Sequence, residues 1–261
     1  MRFGYCLGGD FIKGDLEVLN AVAEAGFDYV ELPMSSLAAL PPDELEQRKK
    51  DLAILPCRAC NIFFPADITL VGPGMDLPGI KAYLEQVVPL CTSLGVETIV
   101  FGNGGARKVL DGMTREGVQF NLRTIFELME EYVGKAGITV VAEPLNTRES
   151  NIINSYAEAV ELTKGLTHVV AMVDSYHVAM ERQNYDDVIQ FPDRLAHLHT
   201  AYPVGRFVPG PEDEMALYTG FVNAVKKVGY TGKLSVEGGL RRNGCVKEEV
   251  TSALKFLKGL F

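Results

Sequence analysis

The sequence predicts an α/β fold: one (β/α)₈ barrel of the TIM type, a single domain over residues 1–261. Three observations carry that expectation. A chain of 261 residues matches one such barrel, for which roughly 250 is usual. Short apolar segments alternate with helical ones about eight times. Glycines punctuate the joints: Ala25-Gly26-Phe27, Leu94-Gly95-Val96 and Ala136-Gly137-Ile138 each read as a helix C-cap feeding an apolar residue that starts a strand, and Val228-Gly229-Tyr230 is close to that phrase.

Taken in order, residues 2–7 form the first strand, and 16–26 an amphipathic helix closed by glycine. The second strand covers 29–32, and the next helix opens at Pro41-Pro42-Asp43-Glu44. Proline at a helix start sacrifices no hydrogen bond, and acidic residues there suit the helix dipole. Strand three covers 58–64 with a helix over 79–95, and strand four covers 98–101 with a long helix over 114–137. Strand five (138–143) precedes a helix over 155–165, and strands six, seven and eight cover 168–174, 195–200 and 233–237 before a last helix over 246–257. Strands alternating with helices imply a parallel sheet, and no Pro/Ser-rich linker divides the chain. The competing doubly wound sheet lacks a GxGxxG or GxxxxGK[ST] loop after any strand.

Composition narrows the function classes. At 47% hydrophobic the chain can bury a sizeable core, and a net charge of −9 with a pI near 5.0 argues against a nucleic-acid partner. Five scattered cysteines read as reduced thiols, with Cys57-Arg58-Ala59-Cys60 in an apolar strand better taken as core than as a redox or zinc pair. The chain opens without an apolar signal-peptide region, and no run reaches the ~18 apolar residues of a membrane span. The expectation is a soluble, cytoplasmic protein.

In such barrels the C-terminal strand ends and their loops form the active face. Four consecutive strands finish in polar residues: Glu143, Asp174, His199 (of His197-Leu198-His199) and Glu237. Carboxylates gathered so closely repel unless a cation neutralises them. Three carboxylates and one imidazole suit one Mn²⁺, Mg²⁺ or Co²⁺ ion, with Zn²⁺ less typical though still open.

The ordered set Glu143-Pro144-Leu145-Asn146, Asp174-x-x-His177, His197-x-His199 and Glu237 resembles the sugar phosphate isomerase/epimerase family of xylose isomerase-like barrels. Within it, the ketose 3-epimerases such as D-tagatose 3-epimerase are similar over the second half, and Phe101-Gly102-Asn103-Gly104-Gly105-Ala106-Arg107 extends the likeness forward. The resemblance implies that Glu143, Asp174, His199 and Glu237 bind the metal, that Glu143 and Glu237 also act as acid and base, and that His177 and Arg206 bind substrate oxygens. One departure stands out: the family's arginine lies six residues beyond the strand-seven histidine, whereas Arg206 lies seven beyond His199.

The implied chemistry is ketose 3-epimerisation or aldose–ketose isomerisation through an enediolate. Asn61 and Glu31 are further candidates for the pocket, a structural role being the equal alternative, and Arg107 for substrate contact; Phe63-Phe64-Pro65 and Tyr202-Pro203 read either as its apolar wall or as core. His197, one layer below His199, reads as packed or supporting, and His168 as structural. Other enolisation chemistry on the same residues, inosose dehydration or C-glycoside cleavage, stays open, as does a binding protein without turnover. An abasic-site endonuclease would need further histidines for its zinc cluster, yet none precedes His168. The expected partner is a small carbohydrate, and barrels of this type often dimerise.

Overall fold

In a computed structural model of the chain, which describes residues 1–241 and 245–261, eight strands close into one barrel in sequence order. They are β1 (Arg2–Cys6), β2 (Tyr29–Pro33), β3 (Cys57–Asn61), β4 (Thr98–Phe101), β5 (Thr139–Ala142), β6 (Val169–Asp174), β7 (Leu195–Thr200) and β8 (Lys233–Val236). All neighbours are parallel, and β1 pairs with β8 to close the ring.

The joints follow the local chemistry of the sequence. Gly26, Gly95 and Gly137 end the helices Glu17–Ala25, Leu77–Leu94 and Arg115–Ala136 in the left-handed region, where a Cβ is penalised. At helix starts, Asp76, Thr114 and Ser155 accept the amides of Gly79, Gly117 and Glu158. Each such cap contributes roughly 1 kcal/mol. The helix Val246–Leu260 packs on Glu17–Ala25, so the helical layer closes where the strands do. It buries Val250, Leu254 and Leu257, each stabilising by about 1.5–3 kcal/mol relative to exposure.

The structure corrects three details. The third strand ends at Asn61 rather than Phe64, because Ile62 turns to a φ of 42° and leaves the ladder. Phe63 and Phe64 then pack edge to face with each other and Phe63 with Tyr83, buried in the shell rather than walling a pocket. An additional helix, Ala216–Lys227, lies between β7 and β8.

The barrel interior is chemically divided. Val100, Val141, Val170 and Met172 form an apolar cluster on the β4–β6 side. Across from them Tyr29, Glu31, His197 and Ser235 are wholly buried and hydrogen-bonded to one another. At the N-terminal end, the Glu97 carboxylate accepts hydrogen bonds from Arg2 at 2.6 Å and Lys233 at 2.9 Å. Cys57 and Cys60 are free, buried core residues, and among the described residues no helix is long and apolar enough to cross a membrane.

Candidate metal centre

The four polar strand ends meet. The Glu143 amide, one residue past β5, donates to the Phe101 carbonyl at 3.2 Å, and the Glu237 amide, one past β8, donates to the Thr200 carbonyl at 3.0 Å. Both glutamates are thereby held in the plane of the sheet. Asp174 stands opposite His199 in the β6–β7 register. One donor atom from each of Glu143, Asp174, His199 and Glu237 lies within 4.8 Å of every other.

Several of these atoms lack a protein partner. Glu143 Oε1, Asp174 Oδ2, His199 Nδ1 and His177 Nε2 are buried without a hydrogen bond. Buried polar atoms are nearly always paired, so a group of orphans facing one point marks the place of something they bind. His199 Nδ1 lies 3.4 Å from Glu143 Oε1 and 3.5 Å from Glu237 Oε2. Burial pushes the Asp174 carboxyl up, and although His177 opposes this, Glu237 and Glu143 add to it. Burial also acts on Glu237, but His199 and the Arg206 guanidinium outweigh it and hold that carboxyl at about 2. Three carboxylates and an imidazole with inward-facing lone pairs fit a hard or borderline divalent cation. Gly102 permits this arrangement, since a Cβ there would stand 2.0 Å from Glu143 Oε2.

The residues expected around the substrate divide. His177 lies beside the cluster, its Nε2 3.5 Å from Asp174 Oδ2. Its Nδ1 accepts the Asn146 amide at 3.2 Å, so the neutral ring carries its proton on Nε2, facing the cluster. Arg206 reaches Glu237 Oε2 at 2.7 Å and Glu149 Oε1 at 3.2 Å, and stacks 4.5 Å over the Tyr176 ring. The extra residue before it sits in a tight turn, with φ of 85° at Gly205 and 51° at Arg206 itself. Asn61 Nδ2 lies 3.5 Å from Glu237 Oε1.

Arg107 is a correction: it is wholly buried, and its guanidinium donates to the backbone carbonyls of Phe101, at 3.0 Å, and Glu143. It braces the exits of β4 and β5 from below instead of touching a ligand. Glu31 is likewise buried beneath the centre rather than lining the pocket.

A cleft of about 320 Å³ opens over Glu237, lined by Asn61, Ile62 and Arg206 and, from the end of β1, by Cys6. That is at the small end of ligand sites, which run from about 300 to 1,000 Å³. Cys6, Glu149 and Tyr176 were not singled out from sequence. Cys6 was accessible to the rule that strand ends face the site; Glu149 and Tyr176 reach it only through their contacts with Arg206.

A profile described as xylose isomerase-like TIM barrel matches residues 19–260. The chain belongs to that family. Among curated members, the 3-dehydro-D-guloside 4-epimerase of Escherichia coli is 31% identical over 250 residues, covering 88% of this chain and 89% of its own. The D-psicose 3-epimerase of Agrobacterium fabrum is 28% identical over 253 residues, covering 89% and 82%. Among solved family structures, 3-keto-D-glucoside 4-epimerase from E. coli superposes with a TM-score of 0.78 at 23% identity, over 99% of both chains. A D-psicose 3-epimerase determined in the presence of D-fructose gives 0.79 at 19%, over 100% of this chain and 99% of that one. At those identities the superpositions speak for the fold.

Proposed function

We propose that this chain is a divalent-metal-dependent sugar epimerase in which Glu143 and Glu237 form the acid/base pair. The observation that carries the reading is the set of buried, partnerless donor atoms on Glu143, Asp174 and His199, completed by Glu237, at the face where barrels of this kind work. The sugar epimerases among its relatives supply the substrate class.

A bound Mn²⁺, Mg²⁺ or Co²⁺ ion would supply Lewis-acid polarisation of a substrate carbonyl and its neighbouring hydroxyl. Glu143, Asp174, His199 and Glu237 would hold it. The protein's own groups then account for the proton traffic. One of Glu143 and Glu237 takes the proton from the carbon beside the carbonyl, leaving an enediolate, and the other returns a proton to the opposite face. Arg206 favours the carboxylate form of Glu237, the form that can hold a cation, while lowering its basicity. The His177 Nε2–H and the Arg206 guanidinium face the same space and steady the oxygen that gains charge.

Two substrate types are separable by experiment. Free ketoses follow the 3-epimerase relatives; 3-keto glycosides follow the 4-epimerase, whose match extends over most of both chains. Metal-loaded protein incubated with each type in D₂O should place deuterium on the carbon next to the carbonyl. Glu143→Gln and Glu237→Gln should each lose that exchange by at least ~10²-fold. Full exchange in both variants would falsify the assignment. Loss of water or of an aglycone without epimer would instead mark a dehydratase or lyase working through the same first step.

A further inference from the structure

His199 presents Nδ1 to the metal centre, and its other nitrogen is not free. Nε2 lies 2.9 Å from Glu31 Oε1. Glu31 Oε2 lies 3.0 Å from His197 Nε2 and accepts the Ser235 hydroxyl at 2.7 Å. Ser235 Oγ has then spent its hydrogen, so the Tyr29 hydroxyl, 2.8 Å away, must donate to it. Glu31, His197, His199, Ser235 and Tyr29 are all fully buried, out of reach of bulk solvent.

A carboxylate only accepts hydrogen bonds, so both histidines that face Glu31 carry a proton on Nε2. In the neutral ring that leaves a bare lone pair on Nδ1. For His199 this is the atom 3.4 Å from Glu143 Oε1 and 3.5 Å from Glu237 Oε2. The opposite tautomer would turn an N–H toward those two carboxylates, pairing with them and blocking a cation. We propose that Glu31, on β2, is the positioning residue of the metal centre: it selects the tautomer and the ring orientation in which His199 can bind a metal. The inference rests on the metal reading of the site and adds a residue that contacts neither metal nor substrate.

A glutamine at position 31 offers one oxygen and one amide where Glu31 offered two acceptors. One of the two histidines then meets a donor with a donor and must turn its proton to Nδ1. Calorimetric titration of metal-free protein with Mn²⁺ should show Glu31→Gln binding 10- to 100-fold more weakly than wild type, the usual range for loss of such a supporting carboxylate. In parallel, ¹⁵N-histidine NMR of wild type saturated with diamagnetic Mg²⁺ should show His199 with its proton on Nε2 and none on Nδ1. Mn²⁺ affinity unchanged in both Glu31→Gln and Glu31→Leu, the second of which leaves neither histidine an acceptor, or a His199 Nε2 without its proton in the Mg²⁺-loaded wild type, overturns the proposal. Should Glu31→Gln fail to fold, the wild-type spectrum decides alone. Neither readout uses catalysis, so a protein with the expected tautomer but no epimerase activity would sink the functional reading and leave this one standing.

Discussion

Ile62 has a φ of 42° and is 53% exposed. A β-branched side chain in that region is strained by about 1–3 kcal/mol, and so little burial offsets only part of it. Ile62→Gly should therefore raise the urea midpoint, by roughly 1 kcal/mol of added stability after the greater freedom of glycine in the unfolded chain is counted. Arg107 presents the reverse case. Burial pulls its guanidinium down to about 10, still charged at neutral pH, and two main-chain carbonyls depend on it. Arg107→Met should lower stability by about 2–4 kcal/mol in thermal unfolding, because the carbonyls it served stay buried. The sequence offered Arg107 as a candidate for substrate contact, in a glycine-rich loop that could equally be no more than a connection. A loop arginine can point up to the mouth or down under the strands, and only the packing around Phe101 and Glu143 decides.

Among elements, the strand ends were the most legible part of the chain. Apolar period located the strands that carry Glu143, Asp174, His199 and Glu237, with a glycine cap marking the start of β5 at Gly137 and Gly229 preceding β8. The helix Ala216–Lys227 was not legible: its N-cap is Met215, with no side-chain hydrogen bond, so the usual polar start signal is missing. The end of β3 was missed because Ile62, Phe63 and Phe64 continue an apolar run although the backbone has already turned. At the opposite end of the barrel, Glu97 ties Arg2 of β1 to Lys233 of β8. The Arg2 hydrogen bond outweighs partial burial and, with Lys233, holds its carboxyl at about 2. A carboxyl depressed on folding stabilises above its unfolded pKa near 4.5 and loses that contribution as pH falls toward 2. Glu97→Gln should accordingly flatten the loss of stability between those pH values, by about 1 kcal/mol or less because the group is 38% exposed. Acid titration of the unfolding free energy measures it.

For the whole molecule, a ligand that binds only the folded chain adds stability by mass action. Mn²⁺ at about 100 times its dissociation constant should add about 2.7 kcal/mol, and EDTA should remove it, as read by unfolding temperature. The four proposed ligands all come from β5–β8, whereas the residue proposed to orient His199 comes from β2, 168 positions earlier in the chain. No partial assembly of the second half therefore contains a finished centre. In refolding, contacts of such long sequence separation form late. Cation uptake should then coincide with the step that seats β2 among its partners, and a protein nicked between β2 and β5 should regain its metal only when the two pieces reassociate. Tight metal binding would thus serve as a proofreading signal, reporting that the ring is whole rather than merely that its ligands are present.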